Sequence, residues 1–207
     1  MRLVIIIVAV VVVAAIWFVT KSHAQSGAAS KPEGKPPEPK QAYLGLRKTM
    51  LDGPRTKFGL PPTSKPIEPW GVLMDWGVNN GVATVVATSD GSASVYFTSG
   101  GGYIGGKGQE PIRRAAQRAV EVARTVQLPS LPTREFPVPE TGGVYFYFLA
   151  DAGVVAFRTS VQELNSPVHP LRKIGDAMQE VITQYRLWDE GGRKGGGGML
   201  VGPNQRK

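Results

Sequence analysis

The chain has no cysteine among its 207 residues and only two histidines, His23 and His169. Disulfides, thiol nucleophiles and cysteine-bound metal centres are thereby excluded. With one histidine in the body and scattered carboxylates, no metal site and no cofactor are expected. His169, between Val168 and Pro170, reads as a capping or solvent-facing residue ahead of a helix. No G-x-S-x-G elbow precedes any serine, so a hydrolase-type nucleophile has no signal here. Acids are also scarce, 16 against 24 basic residues, for a net charge of +8. That surplus lies in the arms. From Trp70 to Glu190 there are ten basic and twelve acidic residues, a net charge of −2. A domain that grips nucleic acid needs a basic face. The one helix rich in arginine, with Arg113, Arg114, Arg118 and Arg124, is interrupted by Glu110 and Glu121. Nucleic acid is therefore not an expected partner.

What the chain does have is an unbroken apolar run, Leu3 to Val19, seventeen residues without a charge. As a helix it is about 26 Å long, close to a hydrocarbon core of about 30 Å. Trp17 and Phe18 lie at its end, where aromatics meet headgroups. Residues 1–24 thus read as a single-span anchor in contact with membrane lipid through residues 3–19. The competing reading is a signal peptide cleaved after Ala24, within Ser22-His23-Ala24, which would release an exported soluble domain. Basic residues flank both ends of the run almost equally, with a slight lean toward a cytoplasmic body.

Residues 25–69 are rich in proline and lysine and read as a linker, with a weak helical pattern at 41–58. The body spans 70–190. Three strand-like runs, Val72 to Val78, Val82 to Thr88 and Ser94 to Ser99, are separated by Asn-Asn-Gly and Asp-Gly punctuation. A helix follows over about Pro111 to Gln127, with Ile112, Ala115, Ala116, Ala119, Val120, Ala123 and Val126 on one stripe. Val144 to Ala150, apolar on both faces, predicts an internal strand, and Val154 to Ser160 pairs with it through Asp151-Ala152-Gly153. A last helix is expected over Leu171 to Asp189. Residues 191–207 read as a disordered, glycine-rich basic tail. The order β-β-β-α-β-β-α predicts a two-layer α+β domain on a five-stranded, mainly antiparallel sheet. The aromatics Tyr96, Phe97, Tyr145, Phe146, Tyr147 and Phe148 fit a sheet core better than base-stacking platforms.

One segment resembles a ligand motif. Gly100, Gly102 and Gly105 satisfy G-x-G-x-x-G, and Gly101 to Lys107 satisfies G-x-x-x-x-G-K. Both patterns place amides around a phosphate at a helix N-terminus. Gly108 stands where Mg²⁺ binding needs Ser or Thr, and Gln109-Glu110-Pro111 separates the glycines from the helix. Gly100, Gly102, Gly105 and Lys107 are therefore weak candidates for phosphate or nucleotide binding, against a plain turn between sheet and helix. Asp75 and Asp151 could form a carboxylate pair, although turn chemistry accounts for Asp151 and Asp75 can simply face water.

Pro69-Trp70-Gly71-Val72, Ser99-Gly100-Gly101-Gly102 and Val181-Ile182-Thr183-Gln184-Tyr185-Arg186-Leu187 together resemble a group of uncharacterised bacterial single-span membrane proteins. The resemblance covers roughly Tyr43 to Asp189 and implies a shared domain without an assigned activity. The element count is similar to roadblock- and longin-like adaptor domains, whose strands are grouped two then three rather than three then two. The expected function is a membrane-tethered, non-enzymatic domain that binds another protein or a second copy of itself. Small-ligand binding at residues 100–108 is the alternative.

Overall fold

The structure is a computed structural model that describes residues 39–195, apart from Asn80 and residues 128–130. The anchor, residues 25–38 of the linker and residues 196–207 of the tail lie outside the described residues. Within them, no helix is long and apolar enough to cross a membrane.

The fold is α+β. Its elements are α1 (Pro39–Asp52), β1 (Gly71–Val78), β2 (Gly81–Thr88), β3 (Ala93–Phe97), β4 (Gly102–Ile104), α2 (Glu110–Ala123), β5 (Gly143–Ala150), β6 (Gly153–Ser160), α3 (Val161–Leu164) and α4 (Arg172–Gly195). Among the described residues six strands form one antiparallel sheet in the order β4-β3-β2-β1-β5-β6. The expected count of five is corrected by β4, which occupies part of the glycine segment. A three-residue strand carrying a glycine has too little β-branched content to register as a strand in sequence. Gly102 is required there. Its φ is +145°, and a Cβ would come within 2.2 Å of the Val95 carbonyl oxygen.

Period-2 alternation divides the sheet between two cores. Val72, Met74, Trp76, Val85, Val95, Phe146 and Phe148 face α2 and α4. Leu73, Val86, Tyr96, Tyr147 and Leu149 face the other way, against Tyr43 and Leu51 of α1 and the connector residue Leu60. The expected two layers become three, because α1 covers the second face. Its buried residues Tyr43, Arg47 and Leu51 recur every four positions along one helix face. The folded body therefore starts with α1 rather than at Trp70. Residues 40–69 add six basic and two acidic residues to the ten and twelve of the stretch from Trp70, which leaves the body close to neutral.

Helix α2 starts with Glu110 and Pro111 in its first turn, as the proline predicts. It ends at Ala123 rather than Gln127, where the Thr125 amide bonds the Val122 carbonyl and tightens the last turn. Helix α3, a single turn, is too short to show a helical period in the sequence. Ser160 and Glu163 form a reciprocal capping box that starts it. Helix α4 runs on through Gly195, so Gly191 to Gly195 belong to the helix rather than to the tail.

Candidate functional site

The glycine segment is a β-hairpin followed by a tight turn. The Gly100 amide donates to the Phe97 carbonyl at 3.0 Å, and the Gly105 amide donates to the Ala93 carbonyl at 3.1 Å. Gly102 lies in β4, paired with Tyr96. The Gly106 amide donates to the Tyr185 hydroxyl at 3.0 Å, and that hydroxyl donates to the Ala93 carbonyl at 2.7 Å. Lys107 Nζ meets Asp90 at 2.8 Å. Gly100, Gly105 and Lys107 thus engage three different acceptors of the protein itself. The first turn of α2 holds Glu110, paired with Arg113 and Arg114.

Asp75 and Asp151 do not meet. Asp75 lies opposite Tyr145, and Asp151 lies beyond the far end of that strand, six residues and about 20 Å away. Nor does Asp75 face water: it is completely buried. Asp151 pairs with Arg55 at 3.6 Å. His169 sits ahead of α4, where its Nδ1 accepts the Leu171 amide at 3.2 Å.

Two constellations escape the sequence. The first lies beneath α1. Arg47 Nε donates to Asp75 Oδ2 at 2.8 Å, and its remaining nitrogens donate to the Phe136 and Pro137 carbonyls at 2.8 and 3.0 Å. Its guanidinium lies 5.1 Å from the centre of the Tyr147 ring. Thr84 donates its one hydroxyl proton to Asp75 Oδ1 at 2.5 Å, so Tyr43 must be the donor in the 2.8 Å contact between Tyr43 and Thr84. Burial pushes the Asp75 carboxyl above the usual carboxylate range, against the opposing pull of Arg47 and Thr84. Burial likewise pushes the Tyr147 phenol up to about 12. Every charged atom of this pair is satisfied, and it joins α1, β1 and the proline-rich crossing. Its chemistry is that of a structural clamp. An isolated Asp in a strand and an isolated Arg in a weak helix carry no mark of belonging together.

The second is a cleft of about 290 Å³ on the opposite face. Met74, Trp76 and Val144 form its floor, Val161, Leu164 and Asn165 one wall, and α4 the other. Along α4, Arg172, Asp176, Gln179, Glu180 and Thr183 line it at helical spacing. Arg172 Nε lies 3.2 Å from Asp176, and its Nη1 donates to the Asn165 carbonyl at 3.0 Å, bridging the two walls. Gln179 Oε1 is buried without a hydrogen-bond partner among the described residues. Gly175 lies between the walls, where an added Cβ would touch Leu164 at 3.7 Å and Phe146 at 3.8 Å. An apolar floor with a few convergent polar groups is the usual make-up of a binding cleft. The available signal was a glycine inside an amphipathic helix whose polar residues adjoin its apolar stripe.

Comparison with protein-family models, with curated proteins and with solved structures finds no match for this chain.

Proposed function

We propose that this chain is a membrane-tethered, non-enzymatic domain that binds a protein partner, and that the cleft between α3 and α4 is the binding surface. The apolar run Leu3 to Val19 supplies the tether. The nineteen residues from Thr20 to Glu38 let the body range at most about 65 Å from it. The cleft is the observation that carries the reading. Its Trp76 and Met74 floor suits an apolar stem, while the buried Gln179 oxygen and the rim carboxylates of Asp176 and Glu180 suit a donor or a positive charge. A basic side chain offered by a partner, or by a second copy of the chain, meets both requirements. The structural duties of the chemically capable side chains support a non-enzymatic role. Asp75 is held by Arg47, Asp90 by Lys107 and Asp151 by Arg55, while His169 receives the Leu171 amide.

The test is photo-crosslinking in the native membrane, using the full chain with a photoreactive residue at Thr183 or, for comparison, at Glu121 on the outer face of α2. A discrete adduct at position 183 that is lost in Gly175→Leu, which fills the cleft, is the expected result. An adduct of twice the chain mass identifies a second copy as the partner. Equal labelling at both positions, or none at 183, overturns the reading. Carbonate extraction of the same membranes checks the tether separately, since a tethered chain stays in the pellet.

A further inference from the structure

We infer that the groove between α1 and the β2–β4 side of the sheet is a second binding site, distinct from the α3–α4 cleft, that takes an uncharged hydrocarbon-chain ligand carrying one hydrogen-bonding oxygen. The groove has a volume of about 290 Å³, roughly twice that of an apolar cavity that holds benzene. Leu46 and Met50 of α1 roof it, with Phe58 beside them, and Val86 and Tyr96 belong to its floor. Exposed Leu46 and Ile104, at 38% and 52%, mark its open side.

Two observations set the class of ligand. None of the lining residues carries a charge. An ionised group placed there would lose its hydration without gaining a partner, which excludes carboxylates, phosphates and ammonium groups from the interior. The Asp90 carboxylate, beyond Thr88 and Ser92, is already held by their hydroxyls and by Lys107, and would repel an anionic head. The second observation is Tyr96. It is 3% exposed, and its hydroxyl has no hydrogen-bond partner among the described residues. A buried hydroxyl without a partner costs free energy that a ligand oxygen recovers. Burial pushes the Tyr96 phenol far above its ordinary range, so it stays protonated and donates. The ligand therefore offers an acceptor, an alcohol or ester oxygen, at the end of an apolar chain. A long aliphatic alcohol is the simplest member of this class.

The experiment uses the full chain in phosphatidylcholine vesicles with three diazirine probes of equal chain length: an alkane, a primary alcohol and, at pH 8, a carboxylate. Labelled peptides are mapped by mass spectrometry. The alcohol is expected to label residues 46–58 and 92–105, and excess decanol to remove that label. Tyr96→Phe should lower labelling by the alcohol about three- to tenfold while leaving alkane labelling unchanged. Ser94→Phe, which fills the groove from the sheet side, should abolish both, and Thr49→Trp serves from the α1 side if that variant does not fold. No label in the groove, equal labelling by the carboxylate, or label retained in a folded filling variant overturns the site. Label on residues 3–19 is read in every arm. Its loss would count against the tether alone and leave the groove result legible.

Discussion

Arg47 and Asp75, 28 residues apart, form a fully buried ion pair that joins the first helix to a central strand of the sheet, with Arg47 Nη2 2.6 Å from Asp75 Oδ2. Their other partners, the Phe136 and Pro137 carbonyls for Arg47 and the Thr84 hydroxyl for Asp75, are all uncharged. Arg47→Met leaves a buried carboxylate with Thr84 as its only remaining side-chain partner, and should destabilise the chain by about 3–5 kcal/mol. The double variant Arg47→Met, Asp75→Leu should recover most of that loss, because a packed apolar pair avoids burying either charge. Denaturant unfolding followed by tryptophan fluorescence measures both. Additive losses in the double variant would show that the two residues act independently.

The turn after β4 is tied to α4 in the same economical way. Tyr185 accepts the Gly106 amide and donates to the Ala93 carbonyl, and its ring stacks on Tyr103 with centroids 5.2 Å apart. Tyr185→Phe keeps the ring but strands the Gly106 amide and leaves the Ala93 carbonyl with the Gly105 amide alone, so about 1–3 kcal/mol should be lost. Gly106→Ala is expected to cost a similar 1–3 kcal/mol by overpacking, since its Cβ would lie 2.4 Å from the Tyr185 hydroxyl and 2.5 Å from Ile112. Thermal melts of the two single variants and their combination check this. Because they disturb one contact, the combined loss should fall short of the sum.

Removing α1 offers a sharper test of where the body begins. A chain starting at Trp70 exposes the face formed by Leu73, Val86, Tyr96 and Tyr147 and leaves Asp75 without Arg47. A chain starting at Pro39 keeps both. The longer chain should show a single cooperative melt and sharp near-ultraviolet dichroism. The shorter one should aggregate or lose its fixed tertiary signal. A cooperative melt from Trp70 onward would return α1 to the linker.

How far the sequence could be read follows from which signals are local. The strands β1, β2, β5 and β6 announce themselves through β-branched and aromatic runs closed by turn residues, and α2 through its proline start and alanine stripe. Their positions hold in the structure to within a few residues. The strand β4 is hidden because its residues are chosen for turn geometry and for the close approach of Gly102 to Val95, not for strand propensity. The role of α1 is hidden because its buried face includes a charge. An apolar-periodicity reading counts Arg47 as solvent-facing, and only the partner across the sheet reverses that. The glycine pattern at 100–108 matches phosphate-loop spacing, yet local spacing alone cannot say where the amides of Gly105 and Gly106 will find acceptors. The α3–α4 cleft is assembled from four separate elements, so no window of the sequence contains it.

Asp90 gives the chain a pH signature in the acid range. Burial opposes its ionisation, but hydrogen bonds from Lys107, Thr88 and Ser92 outweigh that cost and hold the carboxyl at about 2. Its pKa in the folded chain is therefore lower than in the unfolded one, near 3.9. The unfolded state takes up the proton first as pH falls. The stabilisation is then complete above about pH 4 and disappears as pH drops through about 2. Because the group is partly solvated, about 1 kcal/mol is at stake rather than the full linkage value. Stability curves at pH 5, 4, 3 and 2 should fall more steeply for the native chain than for Asp90→Asn, with the two converging at the acid end. Parallel curves would place the acid sensitivity elsewhere. High salt should shrink the part of the difference carried by Lys107, whose ammonium is solvent-exposed, while leaving the Thr88 and Ser92 bonds in place.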